Sequence, residues 1–91
     1  MNIILEYIDN DVKPLKSNQT INEAHELFMD FSFTHFPVIE NNVYIGCLSK
    51  EDAETLNPES KIESNKINLE RFFAKNSMSW LDIQELFARN Q

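Results

Sequence analysis

Glycine, cysteine and basic residues are scarce in this 91-residue sequence, and two of these shortages exclude whole classes of protein. The single cysteine, Cys47, can form neither an intrachain disulfide nor a cysteine-based metal site, and its apolar neighbours indicate a small buried residue. The 8 Lys and Arg residues are scattered among 15 Asp and Glu, so the net charge is −7 and there is no basic patch for phosphate backbones. We therefore expect no nucleic-acid partner and a reducing, cytoplasmic setting.

Long hydrophobic runs are also absent. The opening residues, MNIILEYIDND, carry a short apolar patch, but no positive region precedes it and acidic residues follow at once. The patch is far too short to cross a bilayer. We predict neither a signal peptide nor a membrane segment.

Sequence motifs of catalysis are missing as well. There is no Ser-His-Asp order with elbow glycines, no HExxH and no Gly-rich phosphate loop. The two histidines, His25 and His35, fall on different predicted elements, and no carboxylate is fixed beside them at metal-ligand spacing. The chain is therefore predicted to have no catalytic residue and no metal site, and not to be an enzyme.

The first half of the chain contains a strong helix signal. In TINEAHELFMDF the apolar residues recur at helical spacing, and Thr20 with Glu23 forms a capping box at the start. Before it, the apolar spacing in residues 1–11 predicts a short helical lead-in, and Pro14 disfavours helix at Lys13, so a short strand is expected there.

A hairpin and a second helix are predicted next. The runs FPVIE and VYIGCLS are separated by Glu40-Asn41-Asn42, which is a turn signal. In SKEDAETL, Ser49 is placed as the N-cap and Asp52 at the third helical position. The only glycine, Gly46, allows a bulge or a close backbone approach. Residues 12–56 thus read as an α+β unit in the order β-α-β-β-α, and the polar residues 57–70 as a linker.

The helix signal recurs later in the chain. KNSMSWLDIQELFARN aligns with KSNQTINEAHELFMDF when Lys75 is laid on Lys16, so cap and apolar stripe repeat together. We expect residues 71–91 to be the first strand and helix of a second copy, without its hairpin and closing helix, as in a fragment of a longer protein or a chain completed by another. An exposed apolar helix face marks an interface. The predicted interface residues are Trp80, Ile83, Leu86 and Phe87.

Together the stretches TINEA, THFPVIE and YIGCLSKED resemble the CBS domain, a regulatory module that occurs as tandem pairs, also called Bateman modules. The resemblance implies one complete motif over residues 12–56 and the truncated start of a second. It is similar in particular to small bacterial proteins made of little beyond one CBS pair.

A ligand site follows from this resemblance. It implies an adenosyl nucleotide, either AMP, ADP, ATP or S-adenosylmethionine, bound between paired motifs as a regulatory ligand, with no cofactor required. Ser49 would lie near a phosphate or the ribose, and Asp52 would accept hydrogen bonds from the ribose hydroxyls. The turn after the first strand maps to Lys13 and Pro14. The start of the second strand, which would wall the adenine site, maps to Thr34, His35, Phe36 and Pro37.

Two alternatives remain open at this point. Helix capping alone explains Ser49 and Asp52, since Thr20 with Glu23 does the same work elsewhere in the chain. The chain would then be a structural dimerisation or interaction module without a ligand. Both hypotheses predict a homodimer or a higher homo-oligomer.

Overall fold

A computed structural model describes residues 13–71 of the chain. Its elements confirm the predicted order β-α-β-β-α and add a 3-10 helix after it. The strands are β1 (Leu15–Lys16), β2 (His35–Glu40) and β3 (Val43–Ser49), and the helices are α1 (Ile21–Asp30), α2 (Lys50–Thr55) and the 3-10 helix Ile62–Asn68. The predicted helical lead-in over residues 1–11, and the second copy beyond residue 71, lie outside the described residues.

The three strands form one sheet with β2 in the middle. Strand β1 pairs with β2 in parallel, with Leu15 opposite Val38, and α1 provides the crossover that a parallel pair requires. Strand β3 pairs with β2 in antiparallel fashion, from His35 opposite Ser49 to Glu40 opposite Val43. The β2 residues 36–38 are buried in succession, so both faces of the central strand are covered.

The first strand lies later than the sequence indicated. Lys13 and Pro14 were expected in a turn after this strand, but in the structure they precede β1. Pro14 has no N–H to donate to a ladder, which suits a position just ahead of the strand. The strand then begins at Leu15, whose side chain is fully buried.

Helix α1 begins and packs as its sequence predicts. The Thr20 hydroxyl oxygen accepts from the Glu23 N–H at 3.1 Å, and the Glu23 carboxylate accepts from the Thr20 N–H at 3.5 Å, which is the capping box. Ile21, Ala24 and Phe28 of the apolar stripe are buried. The helix ends at Asp30, so Phe31, the last apolar residue of the predicted stripe, follows the helix as its C-cap.

The hairpin turn uses two asparagines in place of the favoured Asn-Gly. Asn41 and Asn42 have φ values of 50° and 64°, and positive φ at both central residues is what a two-residue type I′ turn requires. Further along, β3 carries one extra residue, Ile45, between the pairs Val38–Gly46 and Ile39–Tyr44. The predicted hairpin is therefore confirmed, and a β-bulge sits beside Gly46.

An aromatic cluster and a buried thiol lie in the core. The rings of Phe28 and Phe36 meet edge to face at 4.7 Å between centroids, and Phe33 packs edge to face on Phe36 at 5.4 Å. Cys47 is fully buried, with its Sγ 3.2 Å from the Tyr44 hydroxyl. Burial raises the pKa of the Cys47 thiol to about 11.

Residues 57–70, here called the returning segment, pack back onto the unit. The Ile21 N–H donates to the Ser60 carbonyl at 2.9 Å, and the Ile62 N–H donates to the Gln19 carbonyl at 2.9 Å. Ile62 is fully buried and Leu69 is 8% exposed, so both belong to the core. The stretch predicted as a linker thus completes the packing of the first motif.

The end of the returning segment forms a bridge to β3. The Cys47 N–H donates to the Glu70 carbonyl at 2.6 Å, and the Glu70 N–H donates to the Cys47 carbonyl at 2.9 Å. Gly46 has a φ of +143°, and a Cβ there would lie 3.0 Å from the Leu69 Cβ and 3.1 Å from the Glu70 carbonyl oxygen. The single glycine therefore stands where the backbone conformation and the close approach both exclude a side chain.

Candidate functional site

One end of the sheet gathers half of the predicted contact residues. Strand β2 begins at His35 and β3 ends at Ser49, and these two residues are cross-strand partners. The Lys50 N–H donates to the Thr34 carbonyl at 2.8 Å, which ties the start of α2 to the start of β2. An open cleft of about 500 Å³ results. Its lining residues are Thr34, His35, Ser49, Lys50, Glu51, Asp52 and Glu70.

Ser49 and Asp52 are placed by the cap of α2. The Ser49 hydroxyl oxygen accepts from the Asp52 backbone N–H at 3.0 Å, so the predicted cap is confirmed. This bond uses the backbone of Asp52 and leaves its carboxylate out of the cap. Within residues 13–71 no donor bonds to the half-buried Asp52 carboxylate. Capping and ligand contact are therefore compatible roles for this pair.

His35 is oriented through both ring nitrogens. Nδ1 lies 3.0 Å from the Thr34 hydroxyl, and Nε2 lies 2.7 Å from a carboxylate oxygen of Glu70. With the ring hydrogen on Nε2, the imidazole donates to Glu70 and accepts from Thr34. The two contacts fix the plane of the ring at the edge of the cleft.

Glu70 is a cleft residue that the sequence did not indicate. It lies on the returning segment, 35 positions from His35, and its backbone is held by the bridge to Cys47. No local motif marks this position, because the contact depends on how residues 57–70 return to the sheet. Only a prediction that this segment pairs with β3 could have found it.

The cleft is acidic. Three carboxylates, those of Glu51, Asp52 and Glu70, line it against one ammonium group, that of Lys50. With histidine counted as neutral, the formal charge of the lining is −2. Charges interact more strongly where solvent is partly excluded. The net negative charge of the lining should therefore affect the affinity of the cleft for charged ligands.

The other predicted contact residues do not line this cleft. Phe36 and Pro37 are buried in the central strand, and Phe36 packs against the aromatic cluster. Lys13 is exposed and Pro14 half-buried, ahead of β1. The structure thus brings together Thr34, His35, Ser49 and Asp52, and it leaves the other four elsewhere. The predicted interface residues Trp80, Ile83, Leu86 and Phe87 lie outside the described residues.

A second cavity, of about 430 Å³, lies beside the hairpin turn. One of its two carboxylates is already paired, because the Lys66 ammonium donates to the Glu40 carboxylate at 2.9 Å. Hydrogen bonds from Lys66 and Ser17 hold the pKa of Glu40 below its usual range. The pairing occupies Glu40, and none of the predicted contact residues lines this cavity.

Two kinds of feature are absent from residues 13–71. No group of three or more His, Cys, Asp or Glu side chains is arranged to hold a metal ion in this part of the chain. No helix within the same residues is long and apolar enough to cross a membrane.

The sequence matches one protein-family model, that of the CBS domain, over residues 4–56. No curated protein matches the chain. Among solved structures, it is similar to the CBS domains of a transcriptional regulator from Streptococcus pneumoniae, with 21% identity and a TM-score of 0.56. That alignment covers 86% of this chain and 66% of the other.

Two other solved structures give the same result. A hemolysin-like protein containing a CBS domain from Oenococcus oeni is 19% identical, with a TM-score of 0.56 over 87% of this chain and 61% of that one. A conserved domain of unknown function from Neisseria meningitidis is 23% identical, with a TM-score of 0.53 over 87% of this chain and 53% of that one. The chain thus spans less than two thirds of the length of these structures, and the likeness shows the fold.

Proposed function

The chain belongs to the CBS domain family, whose members are generally regulatory modules, and on this premise we propose that it senses an adenosyl nucleotide in the cleft at Ser49 and Asp52. The candidate ligands are AMP, ADP, ATP and S-adenosylmethionine. Binding would act by shifting how paired motifs or subunits pack, without catalysis and without a resident cofactor.

One observation carries this proposal: four residues expected to contact the ligand line a single cleft. They come from two separate parts of the chain, the start of β2 and the start of α2, which only the fold brings together. The cleft's volume of about 500 Å³ lies within the range of roughly 300–1,000 Å³ for small-molecule sites.

The polar groups of the cleft suit a ribose. An ionised carboxylate is an acceptor with two oxygens, so Asp52 can accept from both vicinal hydroxyls of the sugar. Ser49 already accepts the Asp52 N–H and keeps its own O–H as a donor. Because donors to the Asp52 carboxylate are absent within residues 13–71, a ligand would not have to displace an internal bond.

An adenine ring needs an apolar wall, which the described lining does not supply. The lining side chains within residues 13–71 are all polar or charged, and the cleft is open to solvent. We therefore propose that a second surface closes the cleft, either the second copy of the motif or another chain in a homodimer. A closed pocket would also explain how the ligand changes packing, since it would contact both surfaces at once.

The test is calorimetric titration of adenosine, AMP, ATP and S-adenosylmethionine into the full chain and into Asp52→Asn. Asn keeps the size of the side chain but not its charge, and charged hydrogen bonds contribute about 1.5–3 kcal/mol, so affinity should fall about 10- to 100-fold. Glu54→Gln is the matched control, because Glu54 is exposed on the same helix and does not line the cleft.

A 2′-deoxy ligand sharpens the assignment. If Asp52 contacts the ribose hydroxyls, 2′-deoxy-AMP should bind the parent chain more weakly than AMP does. Removing the 2′-hydroxyl should lower the affinity of Asp52→Asn much less, since the contact between residue 52 and the ribose is already weakened in that variant. Equal losses in both proteins would contradict the role of Asp52, and no saturable binding by any of the ligands would contradict the sensing function.

A dimerisation module without a ligand is the second candidate, and exposed apolar side chains favour it. Met29 is 71% exposed, and Phe31, just after α1, is 38% exposed. Sedimentation of the ligand-free chain over a range of concentrations tests this candidate. A dimer together with silent titrations would support it, and a monomer at every concentration would contradict it.

A further inference from the structure

Glu70 places a fixed negative charge in the cleft. Its carboxylate contacts His35 Nε2 at 2.7 Å, and its backbone makes both hydrogen bonds of the bridge to Cys47. A side chain held at both ends cannot turn away from an incoming ligand without breaking the His35 contact. The carboxylate charge therefore stays at this position in the cleft when a ligand enters.

The three carboxylates of the cleft differ in what a ligand would do with them. Asp52 would accept the ribose hydroxyls, so its charge is used in binding. Glu51 is exposed on the first turn of α2 and is free to extend into solvent. Glu70 contacts Nε2 of His35, whereas Thr34 contacts Nδ1, so its carboxylate is engaged by the ring and not by the ribose. Its charge is thus left to repel anionic groups.

Resting on the adenosyl function proposed above, we propose that Glu70 is a specificity residue that makes the cleft discriminate against ligands with several phosphate groups. Among residues 13–71 the lining has a formal charge of −2, with histidine counted as neutral, and Lys50 supplies the only ammonium group of that lining. Each added phosphate brings further negative charge next to this lining, while adenosine brings none and the sulfonium of S-adenosylmethionine brings positive charge. The favoured ligands are adenosyl compounds with one phosphate or none, or with a cationic group.

The test compares affinities for ATP and adenosine in the parent chain and in Glu70→Gln, without divalent cations so that ATP keeps its full charge. Gln retains an oxygen that accepts from His35 and removes only the charge. The preference for adenosine over ATP should fall about fivefold or more, as expected for one charge removed at the edge of a partly solvated site.

Two variants control for other causes. Glu59→Gln removes the same charge from an exposed glutamate outside the cleft, and its preference should change less than about twofold at physiological salt, where surface charges are screened. Glu70→Asp keeps the charge and should keep the preference. This variant also separates the charge from any effect of Glu70 on folding, and the circular dichroism spectra of all variants should match the parent.

A reduced preference in Glu70→Gln alone supports the proposal. Equal changes in Glu70→Gln and Glu59→Gln, or an unchanged preference in both, would overturn it while leaving the adenosyl function in place, because adenosine still binds. No binding of either ligand to the parent chain would overturn the adenosyl function itself and this inference with it.

Discussion

Replacing Gly46 with alanine should destabilise the domain by about 2–4 kcal/mol, and two separate effects contribute. The first is conformational. Gly46 has a φ of +143°, a region that residues with a side chain rarely adopt, and such strain costs about 1–3 kcal/mol.

The second effect is steric. The alanine Cβ would lie 3.0 Å from the Leu69 Cβ and 3.1 Å from the Glu70 carbonyl oxygen, and both distances are too short for ordinary contact. Relief requires the returning segment to move away from β3. That movement would weaken the two bridge hydrogen bonds with Cys47, each worth about 1 kcal/mol.

Urea unfolding followed by circular dichroism measures the total, and the thermal midpoint should fall by roughly 4–8 °C for each kcal/mol in a domain of this size. Amide hydrogen exchange locates the change. The N–H groups of Cys47 and Glu70 should lose protection, while those in the middle of α1 keep theirs. A Gly46→Ala chain with an unchanged urea midpoint and a protected bridge would refute the reasoning.

Three further predictions concern the cap of α1 and the buried thiol. Thr20→Ala removes the acceptor of the Glu23 N–H and should lower the free energy of unfolding by about 1 kcal/mol, as measured by urea unfolding. Thr55→Ala removes no N-cap and should lower it less, so equal losses in the two variants would contradict the capping role. Cys47 should resist thiol reagents at pH 8 until the chain unfolds, and labelling at the rate of a free thiol would contradict its burial. Folding raises the pKa of this thiol from the ordinary 9.0 to about 11, so the thiol of the unfolded chain loses its proton at a lower pH than the thiol of the folded chain. The thiol's contribution to the free energy of unfolding should therefore be intact below about pH 9 and should decline as the pH rises towards 11.

The features that the sequence predicted well are those with local causes. The caps at Thr20 and Ser49 depend on residues three positions apart, and the turn at Asn41 and Asn42 depends on two residues that tolerate positive φ. Each of these signals is complete within a few residues of the chain. The order β-α-β-β-α followed from them.

The returning segment and Glu70 could not be predicted in the same way. Residues 57–70 are mostly polar, and their two core side chains, Ile62 and Leu69, stand seven positions apart with no buried residue between them, which is too sparse for a sustained apolar period. Their burial depends on surfaces built by α1 and β3, which are distant in sequence. The resemblance to the CBS domain indicated the cleft residues at the starts of β2 and α2, whereas nothing in the local sequence indicated Glu70.

The returning segment also sets the order in which the fold can be completed. The hairpin closes over a two-residue turn, but the bonds between residues 17–22 and 58–63 close a far longer loop, whose entropy cost is greater. During synthesis the chain emerges from its N-terminus, so the helix and hairpin are available while the core still lacks Ile62 and Leu69. Until residue 70 has left the ribosome, β3 keeps an unpaired edge at Cys47, and the nascent motif is exposed to pairing with other strands.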